Sequence, residues 1–503
     1  MSGLPGKAAS FWIASTPETN YPALTRDLSV DVAIVGAGLV GITAAKLLKQ
    51  AGKTVAVLES DRISRDTSGH TTAKLTSQHH LIYADLIEKI GVEGARLYGE
   101  SNQAAVEQMA SFVAAEHIDC DFERKNAHVY ATTAGDREKI EVEVEAALKL
   151  GLPASFVTEA NLPFPITGAV RFDNQAQFHP RKYILHLAKT IHGDGSVICE
   201  KTRVMTVEEE QPCRVITKNG PTVTATDVIV ATNLPILDQG LYFAKSYPKR
   251  SYLIGARIDA DKDPGGMFIG AGEITQSIRT TPHPEGGLLV LVGGEGHKVG
   301  EASDTEDRYR RLDEFMRSQF GISTEYRWST QDMVSFDRLP YIGRLTPANH
   351  HIYVATAFSL WGMSKSTLSA MILSDLILGV KNPWADLYDS LRPTPFISQE
   401  SIKENLDVGM RWIGDRFKGL FKSPDDLSPG KAELMTVNGN KIAAYCDEAG
   451  HLHQVSAVCP HLACIVAWNP AEKSWDCPCH GSRFDVDGQL LRGPAVKDLH
   501  REN

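Results

Sequence analysis

The 503-residue sequence has no uninterrupted apolar run approaching the roughly 18 residues of a membrane-spanning helix. Met1 to Val30 combines one early lysine with no long apolar stretch and no small-residue cleavage site, so no secretory signal is expected there. Positive charge is not in excess: 52 Lys+Arg against 62 Asp+Glu leave a net charge of −10, and no nucleic-acid partner is expected. No internal repeat or low-complexity segment interrupts the chain. Cysteine is scarce, with eight residues, and unevenly spread. Cys120, Cys199, Cys213 and Cys446 are isolated and read as buried thiols. Cys459, Cys464, Cys477 and Cys479 crowd into 21 residues. That distribution excludes a disulfide-rich secreted fold and suggests a metal site in a small appended domain of a cytoplasmic protein.

What is present is ordinary for a folded chain, with 42% hydrophobic and 23% charged residues over a length that suits about two to four domains. The first strong signal is Asp31-Val-Ala-Ile-Val-Gly-Ala-Gly-Leu-Val-Gly-Ile42. Val32 to Val35 predicts a strand buried on both faces, and Ile42 to Gln50 predicts a helix. Thr54 to Leu58 predicts a second strand, ending at Glu59, 18 positions after Gly41. Strand, glycine turn, helix, strand and acid together form a dinucleotide-binding unit. Gly36 permits the tight turn, Gly38 lets backbone approach a pyrophosphate, and Gly41 lets helix and strand pack closely. Glu59 suits a ribose diol. Further strands are expected over Val223–Val230, before Ala231-Thr232-Asn233, and over Ile352–Thr356. The latter leads to Gly362-Met363-Ser364 and a helix from Thr367 to Leu378. Tyr252–Ile258 and Leu288–Val292, with a helix from Asp304 to Phe320, suggest a second subdomain inserted into the first. Gly293 to Gly300 lacks a following strand with an acid and reads as a glycine-rich turn, which weighs against a second dinucleotide site.

Near the C-terminus, Cys459-x-His461 and Cys477-x-x-His480 offer two thiolates and two imidazoles, a set that suits zinc or a [2Fe–2S] cluster. Cys464 and Cys479 sit one in each loop, placed to staple them. Gly481 and Ser482 can bring donors to sulfur, and Gly493-Pro-Ala495 can cover the site. These motifs, over about residues 430 to 500, resemble the Rieske [2Fe–2S] domain. The resemblance implies that Cys459 and Cys477 ligate one iron, that His461 and His480 ligate the other, and that Cys464 and Cys479 form a disulfide. Phe484 stands where a tyrosine is common in the cytochrome bc-type branch, which implies one hydrogen bond fewer to sulfur and a lower potential.

The front part, about residues 28 to 390, resembles flavoprotein oxidoreductases of the D-amino-acid oxidase and glycine oxidase type. The matching pieces are the glycine turn, Glu59, Thr67-Ser-Gly-His-Thr-Thr72, Ala231-Thr-Asn233, Asp337-Arg-Leu-Pro-Tyr-Ile-Gly343 and Gly362-Met-Ser364. The expected architecture is an α/β Rossmann-like FAD-binding domain with an inserted α+β substrate subdomain, followed by a small all-β Rieske domain. The whole resembles a bacterial flavoprotein–Rieske fusion. The implied cofactors are FAD and a [2Fe–2S] cluster. Gly36, Gly38, Gly41, Glu59, Ser68, Gly69, Thr71, Thr72, Val204, Ala231, Thr232, Gly343, Gly362, Met363 and Ser364 are the candidate FAD contacts. His179, Arg338 and Tyr341 are the candidate catalytic residues, with a structural role the alternative for His179.

Amino-acid oxidases of this type often carry a carboxylate-binding arginine shortly before the Asp-x-x-Pro segment. Here Gln331-Asp332 stands in that neighbourhood, and Arg250, Arg257 or Arg338 would have to substitute. His79, His80, His350, His351, His451 and His453 read as surface or turn residues. The boundaries expected are 1–395 for the flavoprotein domain, 396–428 for an amphipathic helix (Gln399 to Phe421) and linker, and 429–503 for the Rieske domain. The helix suits docking between domains, with peripheral membrane contact the alternative. A two-electron flavin joined to a one-electron cluster implies a dehydrogenase of an amine or amino acid. Its electrons would pass through the cluster to an external acceptor, a protein or a quinone. The alternatives are a cluster-fed reductase or monooxygenase and a non-catalytic redox sensor. A Rieske oxygenase is disfavoured, because the sequence offers no two-histidine, one-carboxylate iron site.

Overall fold

In the computed structural model, residues 3–272, 275–393, 424 and 427–502 are described. The expected helix over 399–421 lies outside them. The dinucleotide unit anchors a largely parallel sheet. Its strands run in the order Tyr341–Arg344, Ile352–Thr356, Thr222–Val230, Leu28–Val35, Val55–Leu58, Val197–Cys199, with only the first antiparallel to its neighbour. Side chains alternate between two buried faces, so residues 32–35 and Val55–Leu58 are apolar at every position. Val32, Ile34, Val55 and Val57 face one hydrophobic core, and Ala33, Val35, Ala56 and Leu58 face another. The helices Leu39–Gln50 and Gly362–Leu378 pack together in the first core. Burying each Val or Ile contributes roughly 1.5–3 kcal/mol.

A second sheet of ten strands forms the inserted layer. It is larger than the sequence suggested. Besides Ser246–Ile258 and Leu288–Lys298 it recruits Lys7–Ala8, Lys74–Leu75, Glu123–Ala131 and Gly168–Gln177, segments far apart in the chain. The expected turn at Gly293 to Gly300 is instead mostly strand. Leu288–Lys298 pairs with Ser246–Ile258 through it, with a register irregularity between Arg250 and Tyr252. Gly294, at φ +157, brings its backbone so near Thr275 O that a Cβ would stand 3.0 Å away. The second helix starts at Gly362 rather than Thr367.

Among the described residues two further small antiparallel sheets, of three and four strands, lie over Ala432–Ser456 and Ala467–Arg492. Among the described residues no helix is long and apolar enough to cross a membrane.

The closest approach in the nucleotide-binding unit is at Gly41. A Cβ there would lie 2.0 Å from Gly36 O, within the backbone of the turn itself. Gly41→Ala is therefore expected to destabilise the protein by about 1–3 kcal/mol and to weaken FAD retention. Thermal unfolding with and without added FAD checks both effects.

Candidate flavin and iron–sulfur sites

The glycine turn opens into a cavity of about 1400 Å³. Gly36, Gly38, Glu59, Ser68, Thr71, Thr72, Val204, Ala231, Thr232, Gly362 and Met363 all line it. Gly36 has φ +107, closed to ordinary L side chains, and its missing Cβ would meet Ala231 O at 2.7 Å. A Cβ on Gly38 would press on Ser68 Oγ at 3.1 Å, and that hydroxyl accepts the Leu39 amide at 3.0 Å. Backbone thus borders the cavity where a side chain would obstruct it. The volume exceeds the roughly 300–1000 Å³ of ordinary small-molecule pockets, as an extended dinucleotide requires. Glu59 accepts amides from Ala37 and Asp61, each at 2.9 Å, while burial raises its carboxyl above the usual range. These features fit FAD, with Glu59 at a ribose and the turn at the pyrophosphate.

Four of the candidate contacts act behind the wall rather than at it. Gly41 packs the helix. A Cβ on Gly69 would meet Ser64 O at 2.0 Å, and one on Gly343 would meet Ser390 Oγ at 2.8 Å. Ser364 is buried, its Oγ at 2.9 Å from His79 Nε2.

Two candidate catalytic residues do not line the cavity. His179 caps the helix Pro180–Ile191, its Nδ1 accepting the Lys182 amide at 3.2 Å and its Nε2 donating to Ser15 Oγ at 3.0 Å. Burial pushes its pKa down to about 3, so it stays neutral. Tyr341 sits in the core, donating to Lys245 O at 3.2 Å beneath the guanidinium of Arg392. Arg338 does line the cavity. With it stand Lys74, Lys249 and Lys365, lysines the sequence did not single out, and His79 and His80, whose charged forms burial disfavours. His79, expected at the surface, is buried, with Nδ1 accepting from Tyr98 Oη at 2.5 Å. Burial lowers Lys365 to about 7, although the Asp332 carboxylate opposes the shift.

The other arginines are committed elsewhere. Arg257 is a surface partner of Glu285 and Glu325. Arg250 is 1% exposed and donates to Ser329 Oγ at 2.8 Å, Gln331 Oε1 at 2.9 Å and Asp476 Oδ2 at 3.0 Å. Asp476 belongs to the C-terminal module, and Gln331 Nε2 in turn donates to Gly481 O at 2.8 Å. The neighbourhood where amino-acid oxidases place an arginine is therefore given over to docking the second module.

In that module Cys459, Cys477, His461 and His480 converge. The Cys477 thiol donates to the Cys459 sulfur and holds Cys459 down to about 7, helped by the His461 amide and the Ser482 hydroxyl. Amides of Cys479 and His480 point at Cys477. The imidazole rings stand 5.0 Å apart at 89°, and both Nδ1 atoms are buried without a hydrogen-bond partner. Cys464 and Cys479, both near Cys477, are joined as the disulfide the resemblance implied. Two thiol sulfurs ringed by donors and two unsatisfied Nδ1 atoms fit a [2Fe–2S] cluster.

The comparisons agree with this geometry. The family model described as FAD dependent oxidoreductase matches residues 31–376, and the chain belongs to that family. A Rieske [2Fe-2S] domain model matches residues 419–501. Among individual relatives, the Putative Rieske 2Fe-2S iron-sulfur protein YhfW of Bacillus subtilis (strain 168) is 36% identical over 498 residues. The match covers 97% of this chain and 96% of that one. Gamma-glutamylputrescine oxidoreductase of Escherichia coli (strain K12) is 25% identical, covering 78% of this chain and 94% of its own. Cytochrome b6-f complex iron-sulfur subunit 1 of Nostoc sp. (strain PCC 7120 / SAG 25.82 / UTEX 2576) is 56% identical over 103 residues, 20% of this chain and 48% of that one. The glycine oxidase structure from Geobacillus kaustophilus shares the fold at TM-score 0.62 and 18% identity, over 73% of this chain and 99% of its own. The chain is an oxidoreductase with FAD and Rieske [2Fe–2S] domains.

Asp476 is held at about 2: burial alone would raise it, but Arg250 and Arg483 outweigh that. Arg250→Ala leaves this carboxylate buried with Arg483 as its remaining cation. The expected cost is near the lower end of the 3–5 kcal/mol range, about 3 kcal/mol, in the stability of the docked module. Arg250→Met with Asp476→Asn, which removes both charges and keeps an acceptor for Arg483, recovers part of it. Chemical denaturation followed through the cluster's visible circular dichroism measures the difference.

Proposed function

We propose that the protein is a flavin-dependent dehydrogenase that oxidises an amine or amino-acid-like substrate and delivers the electrons through the Rieske cluster to an external one-electron acceptor. The observation that supports it is a shared wall. Arg483, Leu491, Arg492, Gly493 and Ala495 of the Rieske module line the same cavity as the glycine turn, and Ile236 of that wall lies two residues from Asp238, a partner of His461. When bound, FAD supplies a two-electron acceptor for the hydride of a C–N bond, and the cluster supplies single-electron transfer. The buried free thiols Cys120, Cys199, Cys213 and Cys446 accord with a reducing, cytoplasmic setting.

The chain's own residues would do the rest. Arg338 and Lys249 offer cations to a substrate carboxylate, with Lys365 adding charge where it is protonated. Asp332, between them and the Rieske module, is fully engaged. It accepts amides from Met333 at 2.9 Å and Leu360 at 2.8 Å, and the Asn233 side chain at 3.1 Å, and its carboxylate favours the charged form of Lys365. The γ-glutamylputrescine name of one relative supports an amine-bearing substrate with a carboxylate.

Anaerobic mixing with a panel of amines and amino acids should bleach the flavin band and then raise the EPR signal of the reduced cluster. Bleaching with a cluster that stays oxidised would reject the electron route. Arg338→Ala is expected to raise KM about tenfold for carboxylate-bearing substrates and to leave neutral amines less affected.

Lys365 faces Asp332, Arg338, Asp337, Arg392 and His79. Its charge is present below pH about 7 and lost above it. KM for an anionic substrate should therefore climb as pH rises through that value, and Lys365→Met should flatten the profile. Steady-state kinetics from pH 6 to 8.5, an interval of about 1 to 1.5 units on each side, covers most of the titration.

A further inference from the structure

His461 meets a carboxylate from outside its own module. Its Nε2 lies 2.7 Å from Asp238 Oδ1, 223 residues away in sequence. A carboxylate accepts, so Nε2 carries the proton and the lone pair resides on Nδ1, the atom left buried and unpartnered. Carboxylates commonly fix metal-binding imidazoles in this way. Phe243 seals the same edge, its ring 5.9 Å from His461 and 5.0 Å from His480, both edge-on.

Asp238 and Phe243 lie on two successive short turns, Asp238–Gly240 and Tyr242–Ala244. Tyr242, buried between them, donates to Leu345 O at 3.0 Å and so ties the segment to the flavoprotein core. Two residues before Asp238, Ile236 lines the flavin cavity, and two residues span at most about 7 Å. The gap between cavity wall and cluster ligand is thus bridged by one short stretch of chain.

We propose that Asp238 is the positioning residue that orients His461 for the cluster and fastens the cluster's histidine edge to the wall of the flavin cavity. The proposal rests on the ligand assignment above and not on the choice of substrate. The carboxylate's charge, next to a ligand, opposes the extra negative charge of the reduced cluster, so its removal eases reduction.

The test is a mediated redox titration of full-length holoenzyme, without substrate, followed by the EPR signal of the reduced cluster. Asp238 is 45% exposed, so an isosteric Asn does not disturb the core. Asp238→Asn is expected to shift the ratio of reduced to oxidised cluster upward by about tenfold at a fixed ambient potential, equivalent to about 59 mV for one electron. Asp238→Glu, which keeps the charge, should return most of the shift. Glu448→Gln removes a carboxylate of the Rieske module paired only loosely with Lys473, at 3.6 Å, and should leave the ratio unchanged. Loss of cluster iron from Asp238→Asn with its retention by Asp238→Glu supports the same contact. An Asp238→Asn protein that titrates like Glu448→Gln overturns the proposal. Because no substrate enters the titration, the result stands apart from that of the flavin-bleaching screen.

Discussion

Docking of the two modules turns on one buried cation. Arg250 has no solvent to share its charge, and Asp476 of the other module completes its set of partners. Neither group is tolerable alone in that environment, and together, with Arg483, Ser474 and Asn469 on the acid, they are satisfied. Glycine lets the surfaces close around this pair. A Cβ on Gly300 would stand 2.2 Å from Pro478 Cβ, and one on Gly481 would stand 2.3 Å from Gln331 Nε2. The contact is as close as packing inside a domain, which accounts for the paired positions of cluster loops and flavin cavity.

The parts legible in the sequence are those written in local spacing. The glycine turn with Glu59, the Cys-x-His and Cys-x-x-His pairs and the strand Ile352–Thr356 each depend on residues a few positions apart, so pattern alone locates them. The larger strand-rich layer was harder, because it gathers short pieces such as Lys7–Ala8 and Lys74–Leu75 whose pairing is entirely long-range. Gly293–Lys298 misled for a physical reason: glycines that permit close backbone approach in a strand look like turn formers when the neighbouring chain is unseen.

The buried groups lining the flavin cavity were the least legible. His79 was dismissed and Lys365 unnoticed, since burial beside a cavity leaves no signature in spacing. His179 and Tyr341 attracted attention through their motifs, yet one caps a helix and the other braces the core. Arg250 and Asp476 are 226 residues apart, and Asp238 and His461 are 223 apart. Contacts of that range belong to the packed molecule rather than to any stretch of sequence.

That Leu491, Arg492, Gly493 and Ala495, at the end of a Rieske strand and just beyond it, line the flavin cavity has a consequence for biogenesis. During synthesis these residues emerge after the entire flavoprotein domain, so the nascent chain presents a cavity with one side open. That part of the wall is therefore absent until the Rieske module folds. The housing of one cofactor is thus completed by the module that carries the other.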